Sequence, residues 1–220
     1  MASPDFSMNV VHFTKGAAPI SAAQHPEEVA TIVPLTAKQR LFRLLTDGVI
    51  RATRMPWTNR RAVCFTECTW PSLLTHAARY SAYGVGFRKE FLFLTGGGPA
   101  IYLPPHLWDR QRQHVPDGTD PFAPELFAFL TAFAPPYAPV GYREQWWNGR
   151  APVDYSHERE WRVPHDLAFT LDRIMFVLVD TYEDMAQAPA PLKDAIGREN
   201  WIIMSNYRKI EELWPQHQVP

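Results

Sequence analysis

The chain lacks the features that mark several large classes of protein. Only two of its 220 residues are cysteines, and Cys64 and Cys68 lie four positions apart, which fits neither a zinc knuckle nor a disulfide framework. The N-terminal residues show no basic stretch followed by an apolar one, so we expect no secretory signal. The longest apolar run, Ile174–Val179, has the length of a strand and not of a membrane span. These absences predict a reduced, cytoplasmic protein without a metal or a membrane partner.

A large net charge and the common nucleotide-binding motifs are also missing. The formal net charge is −1, which excludes a polycationic binder of nucleic acid, and neither a G-x-G-x-x-G turn after a strand nor a P-loop occurs. The neutrality hides an asymmetry: residues 38–90 carry ten basic and three acidic side chains, whereas residues 151–220 carry seven basic and twelve acidic ones. The basic segment is either a solvated surface or a site for phosphates, which arginine binds with bidentate geometry.

Proline and aromatic residues are in excess. The chain has 21 prolines and eight tryptophans, and 13% of its residues are aromatic. This composition indicates rigid loops within a packed protein and excludes disorder, collagen and coiled coil. Many prolines fall in a long middle segment that also holds Trp146–Trp147, either a core anchor or an exposed stacking surface. We predict a single domain of residues 1–220, with a loop or helical insertion at 105–152 and a C-terminal extension at 183–220.

The hydrophobic pattern predicts short strands mixed with a few helices. Thr36 is a suitable N-cap for a helix that begins at Ala37 and ends at Gly48. Further helices are expected at residues 71–80 and 125–133. Strands are expected at residues 9–14, 62–66, 84–87 (extending as far as 94), 100–103, 157–163, 173–179 and 201–204. Because strands and helices do not alternate regularly, the fold class is predicted to be α+β.

The segment His157-Glu-Arg-Glu-Trp-Arg-Val163 carries the strongest chemical signal. Side chains alternate between the faces of a strand, so Glu158, Glu160 and Arg162 are expected to share one face. Trp161 and Val163 are then expected to face the core. Two carboxylates and a guanidinium on one face either take part in a catalytic site or form an ordinary exposed ion pair between glutamate and arginine.

Two other segments place polar groups beside aromatic rings. His12 lies in the strand Val-His-Phe-Thr, where a lone histidine either binds a ligand or is simply half-buried. Tyr80 and Tyr83 flank a turn that is followed by glycines, which allow a close approach of the backbone. Such tyrosines either stack on a planar ring or cap a core.

Taken in order, these segments resemble the ADP-ribosyltransferase superfamily. The resemblance is carried by the early histidine and by Leu44-Leu-Thr-Asp-Gly-Val-Ile50, Val63-Cys-Phe-Thr-Glu67, Tyr83-Gly-Val-Gly-Phe87, Pro99-Ala-Ile-Tyr102 and Glu158-x-Glu-Trp-Arg162. It is strongest to bacterial toxin branches and to phage-defence branches that act by abortive infection, and it covers roughly residues 10–179. It implies a split pair of small antiparallel sheets with flanking helices, and a cleft that binds NAD as substrate.

The resemblance also implies roles for individual residues. It assigns His12 to the adenosine-side ribose, with Thr14 beside it and Phe13 between them in the NAD site. It assigns Arg51 or Arg54 to the diphosphate, and Tyr80 or Tyr83 to the nicotinamide ring. Glu160 would be the catalytic carboxylate beside an oxocarbenium-like transition state, and Glu158 would deprotonate the acceptor. Phe13 departs from the family, in which a tyrosine is common at this position.

The acceptor of the ADP-ribosyl group stays open at this point. The two-acid spacing favours a protein acceptor, whereas the basic first half favours nucleic acid. Water as acceptor would make the chain an NAD glycohydrolase, and a degenerate relative would be a non-catalytic binding or neutralising protein. A toxin would have a neutralising antitoxin as a candidate partner.

Overall fold

The protein has the α+β fold class that the sequence predicts, and its strands pair mostly in antiparallel fashion. A computed structural model describes residues 6–16, 35–55, 58, 60–67, 69, 73–104, 106–107, 123–138, 154 and 156–213. Within these ranges, no helix is both long enough and apolar enough to cross a bilayer.

The secondary-structure elements are short. The strands are β1 Asn9–Phe13, β2 Val49–Ile50, β3 Thr53–Arg54, β4 Arg61–Thr66, β5 Gly84–Arg88, β6 Gly98–Pro99, β7 Ile101–Leu103, β8 Leu130–Ala132, β9 Glu160–Val163, β10 Leu167–Ala168, β11 Ile174–Val179 and β12 Trp201–Ile203. The helices are α1 Ala37–Asp47, α2 Leu73–Arg79, α3 Lys89–Leu94, α4 Ala123–Phe129, α5 Tyr182–Gln187, α6 Ala190–Ile196 and α7 Met204–Leu213.

The chain divides into two compact units. The first unit comprises Met1–Ile50, Glu67–Leu94 and Ala168–Pro220, and the second comprises Arg51–Thr66 and Thr95–Leu167.

The first unit is built on four strands in the order β12-β11-β5-β1. β5 is antiparallel to both β1 and β11, and β12 runs parallel to β11 with Val177 opposite Trp201. The segment expected to be a C-terminal extension therefore supplies a strand to this sheet. A core cluster lies against it, formed by Val11, Leu73, Ala77, Leu178, Met204 and Tyr207.

Helix α1 begins and ends where the sequence predicts. Thr36 accepts a hydrogen bond from the backbone amide of Gln39 and closes a capping box with it. Gly48 ends the helix with φ of 63°, a left-handed conformation that glycine adopts without a steric penalty. These local signals suffice because capping depends on residues adjacent in the chain.

The second unit is built around β9. β9 is antiparallel to β4 and to β6, β4 is also antiparallel to β3, and β7 pairs in parallel with β8. Ala128 of α4 packs with Met55 and Ala62 in a small core cluster, with Cys64 against it. Helix α4 therefore covers residues of β4.

Several expected elements differ in extent from those observed. The strand expected to reach Leu94 ends at Arg88, where α3 begins, and the helix expected at residues 125–133 gives way to β8 at Leu130. The expected loop at residues 51–54 contains β3. In each case pairing with a distant strand or burial of a side chain overrides the local pattern. Trp146–Trp147, Cys68 and most of the expected insertion lie outside the described residues.

Gly86 generates a prediction for stability. A Cβ atom at this position would lie 2.5 Å from the ring of Phe176 on the neighbouring strand, so the ring would have to move. We expect Gly86→Ala to lower the free energy of unfolding by about 1–3 kcal/mol, as overpacking does. Gly16→Ala is the control, because nothing lies within 4 Å of a Cβ there. Equal stability of the two variants in chemical denaturation would contradict this account.

Candidate functional site

A buried arginine organises the second unit. Arg162 on β9 is only 2% exposed, and its Nη1 donates to the carbonyl oxygens of Ala128 (2.9 Å) and Leu130 (3.0 Å). These carbonyls lie where α4 ends and β8 begins, and the last carbonyls of a helix have no partner within it. Arg162 therefore satisfies backbone groups at this junction. Of the two interpretations of this strand face, the exposed Glu–Arg pair is therefore wrong, because Arg162 is buried beneath α4.

Glu160 is held by the remaining donors of the same guanidinium. Arg162 Nε donates to Oε1 at 2.9 Å and Nη2 donates to Oε2 at 2.8 Å. The two residues share a face of β9 because they lie two positions apart, as the sequence predicts. The Glu160 side chain is 11% exposed. The bidentate pair fixes the carboxylate in one orientation and keeps a negative charge in a largely buried position.

Glu158 does not belong to the strand. It lies in a 3-10 turn, Ser156–Glu158, and Arg159 follows it with φ of 44°, a left-handed conformation that breaks the strand alternation. The expectation that residues 157–159 continue the strand is therefore wrong. The side chain of Glu158 is nevertheless buried, and its Oε1 lies 3.9 Å from Nε2 of His157.

The charges of Glu158 and Glu160 both affect the pKa values of two neighbouring side chains, Cys64 and Tyr102. Burial, followed by the charge of Glu160, raises the pKa of the Cys64 thiol well above its ordinary value, and Glu158 adds to the effect. Burial and the charge of Glu160 likewise raise the pKa of the Tyr102 hydroxyl, with a smaller contribution from Glu158. Cys64 is therefore protonated and unsuited to act as a nucleophile. Glu158 and Glu160 therefore both lie within electrostatic range of Cys64 and Tyr102.

Arg51 and Arg54, the candidates for the diphosphate, lie elsewhere in this unit. Arg51 Nη1 donates to Asp166 Oδ2 at 2.7 Å, and its side chain is 58% exposed. Burial acts to raise the pKa of Asp166, but hydrogen bonds from the Ala52 amide and Arg51 outweigh it and hold that pKa below its ordinary value. Arg54 lies on β3 opposite Arg61 of β4.

The first unit holds the other five candidates. Thr14 is buried, and its hydroxyl donates to the carbonyls of Ala37 (2.8 Å) and Tyr83 (3.3 Å). Phe13 stacks on Tyr80 with ring centroids 5.7 Å apart. His12 is half-buried on β1 opposite Val85. Four of the five, all except His12, therefore meet at the turn between α2 and β5.

Tyr83 is tied to a buried carboxylate. Its hydroxyl donates to Asp184 Oδ2 at 2.9 Å, and Lys38 Nζ donates to Asp184 Oδ1 at 3.0 Å. Burial, with the hydrogen bond to Asp184, raises the pKa of the Tyr83 hydroxyl. Burial also acts to raise the pKa of Asp184, but the donors Lys38, Tyr83 and Thr181 together hold it below its ordinary value. The ring of Tyr83 is therefore positioned by α1 and α5.

Three residues that hold these candidates in place do not follow from the sequence pattern alone. Strand spacing places Arg162 beside Glu160, but it does not show that Arg162 is the buried anchor of that carboxylate. Asp166 and Asp184 had no signal, because each meets a partner more than 100 residues away. Among the described residues, no group of three histidine, cysteine, aspartate or glutamate side chains has an arrangement that would hold a metal ion.

No protein-family model, no curated protein and no solved structure matches the chain.

The Arg162–Glu160 pair generates a second stability prediction. We expect Arg162→Met to lower the free energy of unfolding by about 3–5 kcal/mol, because it leaves a buried carboxylate without its counter-charge. The double variant Arg162→Met/Glu160→Gln should recover part of this loss. Arg198→Met, in an exposed pair with Asp194, should cost less than about 1 kcal/mol. A single variant no more costly than this control, measured by urea denaturation, would rule out the buried pair as an anchor.

The lowered pKa of Asp184 generates a pH prediction. A carboxyl whose pKa is lower in the folded than in the unfolded state stabilises the fold above its unfolded pKa of about 4, and this stability is lost as the pH falls through the folded value. We therefore expect the free energy of unfolding to fall less steeply below about pH 4 in Asp184→Asn than in the wild type. The exposed control Asp194→Asn should keep the wild-type slope. Denaturant titrations from pH 7 to pH 3 measure these slopes, and parallel slopes for Asp184→Asn and the wild type would contradict the assignment.

Proposed function

We propose that the chain is an NAD-dependent mono-ADP-ribosyltransferase with Glu160 as its catalytic carboxylate. The observation that carries the proposal is the bidentate pair, in which a buried guanidinium holds both oxygens of Glu160. Cleavage of the bond between nicotinamide and ribose develops positive charge at the anomeric carbon. A carboxylate already anionic and already oriented stabilises that charge without reorganising during the reaction.

The reaction divides into two bond changes. The bond between the anomeric carbon and the nicotinamide nitrogen breaks, and nicotinamide leaves with the electron pair. A nucleophilic atom of the acceptor then bonds to the anomeric carbon and loses its proton. Glu160 accepts a hydrogen bond from the ribose hydroxyl and faces the developing cation. A carboxylate oxygen has more than one lone pair, so binding Arg162 leaves it able to accept this bond.

Glu158 is the proposed base for the acceptor proton. It shares with Glu160 the electrostatic surroundings of Cys64 and Tyr102, and its side chain is largely shielded from water. A carboxylate positioned beside the acceptor can take up the proton that the acceptor loses. The position of Glu158 in a turn, rather than in the strand, supports a role different from that of Glu160.

The residues of the first unit enter the proposal through the family resemblance. Tyr83, fixed by Asp184, and Tyr80, stacked on Phe13, supply aromatic surface suited to a nicotinamide ring. The hydroxyl of Thr14 donates to backbone carbonyls, so we assign it to holding the strand end. The proposal extends to the family's split-sheet fold, to His12 and one of Arg51 or Arg54 as NAD ligands, and to a cytoplasmic toxin or phage-defence role with an antitoxin as partner.

Glu160→Gln tests the catalytic assignment. We expect it to reduce nicotinamide release from NAD at least about 100-fold, because the amide carries no charge to stabilise the cation. Release is measured with NAD labelled in nicotinamide, in the presence of DNA, RNA and cell extract. Glu125→Gln, which changes an exposed glutamate on α4, is the matched control and should keep wild-type release.

The same assay separates the alternatives. Label from the adenosine half appearing on a macromolecule supports transfer, whereas free ADP-ribose with no modified acceptor supports an NAD glycohydrolase. If the wild type releases no nicotinamide and NAD does not raise its thermal midpoint, the proposal is wrong and a non-catalytic binding protein is the better description. Unchanged release by a folded Glu160→Gln variant would remove Glu160 from the mechanism.

A further inference from the structure

One arginine of the first unit is half-buried without an anion beside it. Arg40 lies on α1, and its Nε atom is buried but has no hydrogen-bond partner among the described residues. Within the same residues, no carboxylate pairs with its guanidinium. Burial lowers the pKa of Arg40 below its ordinary value. The fold therefore draws a positive charge partly out of water without supplying a counter-charge from its described part.

The two other basic side chains of α1 each have a carboxylate partner. Lys38 Nζ donates to Asp184 Oδ1 at 3.0 Å, and Arg43 Nε donates to Asp47 Oδ2 at 3.3 Å. Arg40 lies between Lys38 and Arg43 in the same helix. The missing partner is therefore a property of this one position and not of the whole helix.

Packing of the aliphatic stem does not explain the burial of Arg40. A long basic side chain commonly buries its methylene groups along apolar surface and keeps its charged head in water. In Arg40 the burial reaches Nε, which belongs to the charged guanidinium itself. A charge that is partly buried without an acceptor is unfavourable unless an anion binds to it. The position of Arg40 therefore suits a ligand better than it suits packing.

A second basic side chain lies near the guanidinium of Arg40. Long side chains on a helix point back toward its N-terminus, so that of Arg40 lies over the turn that contains Ala37. The carbonyl of Ala37 accepts a hydrogen bond from the Thr14 hydroxyl at 2.8 Å, which brings the end of β1 to this turn. Lys15 follows Thr14 and is exposed. Arg40 and Lys15 therefore place two positive charges at one end of α1.

These two charges define the class of ligand. Because Nε is enclosed, the two Nη groups of Arg40 remain for a ligand, and their parallel N–H bonds match two oxygen atoms of one oxyanion. A second positive charge favours a phosphate, which carries close to two negative charges at neutral pH, over a single carboxylate.

We propose that Arg40, with Lys15 beside it, binds a phosphate group, either free or carried by a nucleotide. The inference goes beyond the proposed function, because it requires neither cleavage of NAD nor Glu160. The site is also separate from Arg51 and Arg54, which lie in the second unit. Arg51 already pairs with Asp166, whereas Arg40 has no such partner among the described residues.

Isothermal titration calorimetry at constant ionic strength tests the site. The ligands are inorganic phosphate, pyrophosphate, ADP and adenosine. We expect Arg40→Gln to weaken the binding of pyrophosphate at least about tenfold, because charge-assisted hydrogen bonds are lost. Arg40→Lys keeps the charge but should also weaken binding, because lysine lacks the parallel pair of donors. Arg43→Gln changes an exposed arginine of the same helix and should keep the wild-type affinity.

The thermal midpoint distinguishes a binding residue from a structural one. We expect Arg40→Gln to keep or raise the midpoint of the ligand-free protein, because it removes an uncompensated charge. Pyrophosphate should raise the midpoint of the wild type and of Arg43→Gln, and should leave that of Arg40→Gln unchanged.

Four results would overturn the inference. The first is a wild type that binds neither pyrophosphate nor ADP at about 10 mM, and the second is malonate, a dicarboxylate dianion, binding as tightly as phosphate. The third is Arg43→Gln weakening binding as much as Arg40→Gln does. The fourth is a lowered midpoint of ligand-free Arg40→Gln, which would make Arg40 a structural residue.

Two supporting results identify the source of the phosphate. Equal affinity for pyrophosphate and ADP indicates a free phosphate, whereas tighter binding of ADP, with measurable binding of adenosine, indicates a nucleotide. Failure of the proposed function gives a different result: phosphate binds through Arg40, yet the wild type releases no nicotinamide from NAD.

Discussion

The guanidinium of Arg162 is the interaction on which the second unit depends. One side of it binds the backbone where α4 gives way to β8, and the other side binds both oxygens of Glu160. A buried arginine is costly to desolvate, and only a full set of acceptors offsets that cost. The same contacts that make its burial tolerable also fix a carboxylate in place. The Arg162 side chain therefore both anchors the backbone of the second unit and orients Glu160, the candidate catalytic carboxylate.

In the first unit, the carboxylate of Asp184 has the anchoring role that the guanidinium of Arg162 has in the second unit. Asp184 gathers Lys38, Tyr83 and the cap of α5, and so connects three segments far apart in the chain. A second charged pair, Lys89 with Glu67 at 2.7 Å, is buried in the same unit. Replacing a buried ion pair by apolar side chains of similar volume is often neutral or stabilising, whereas removing one partner of such a pair is strongly destabilising. The pair of Lys38 with Asp184 fixes the position of Tyr83, because the Tyr83 hydroxyl donates to the same carboxylate.

The local parts of the fold could be predicted from the sequence, and the parts that depend on distant pairing could not. Helix α1 and strands β1, β4 and β11 follow from caps and hydrophobic runs that need no knowledge of their neighbours. The conversion of residues 89–94 to a helix and of Leu130–Ala132 to a strand depends on partners elsewhere in the chain. The shared face of Glu160 and Arg162 followed from strand periodicity. The burial of Arg162 did not, because it depends on Ala128 and Leu130, which lie more than 30 residues away in the chain. The turn at Glu158 depends on the backbone conformation of Arg159.

The account makes a charged, oriented Glu160 the centre of the chemistry, with Arg162 as its positioning residue. Arg162→Lys tests this claim most directly, because lysine keeps the positive charge and loses the two parallel hydrogen bonds. The measurement is the steady-state rate of nicotinamide release across a range of NAD concentrations, with folding verified by thermal denaturation. The account predicts a kcat lowered at least about tenfold with a KM for NAD near the wild-type value. A folded variant with wild-type kcat would contradict it.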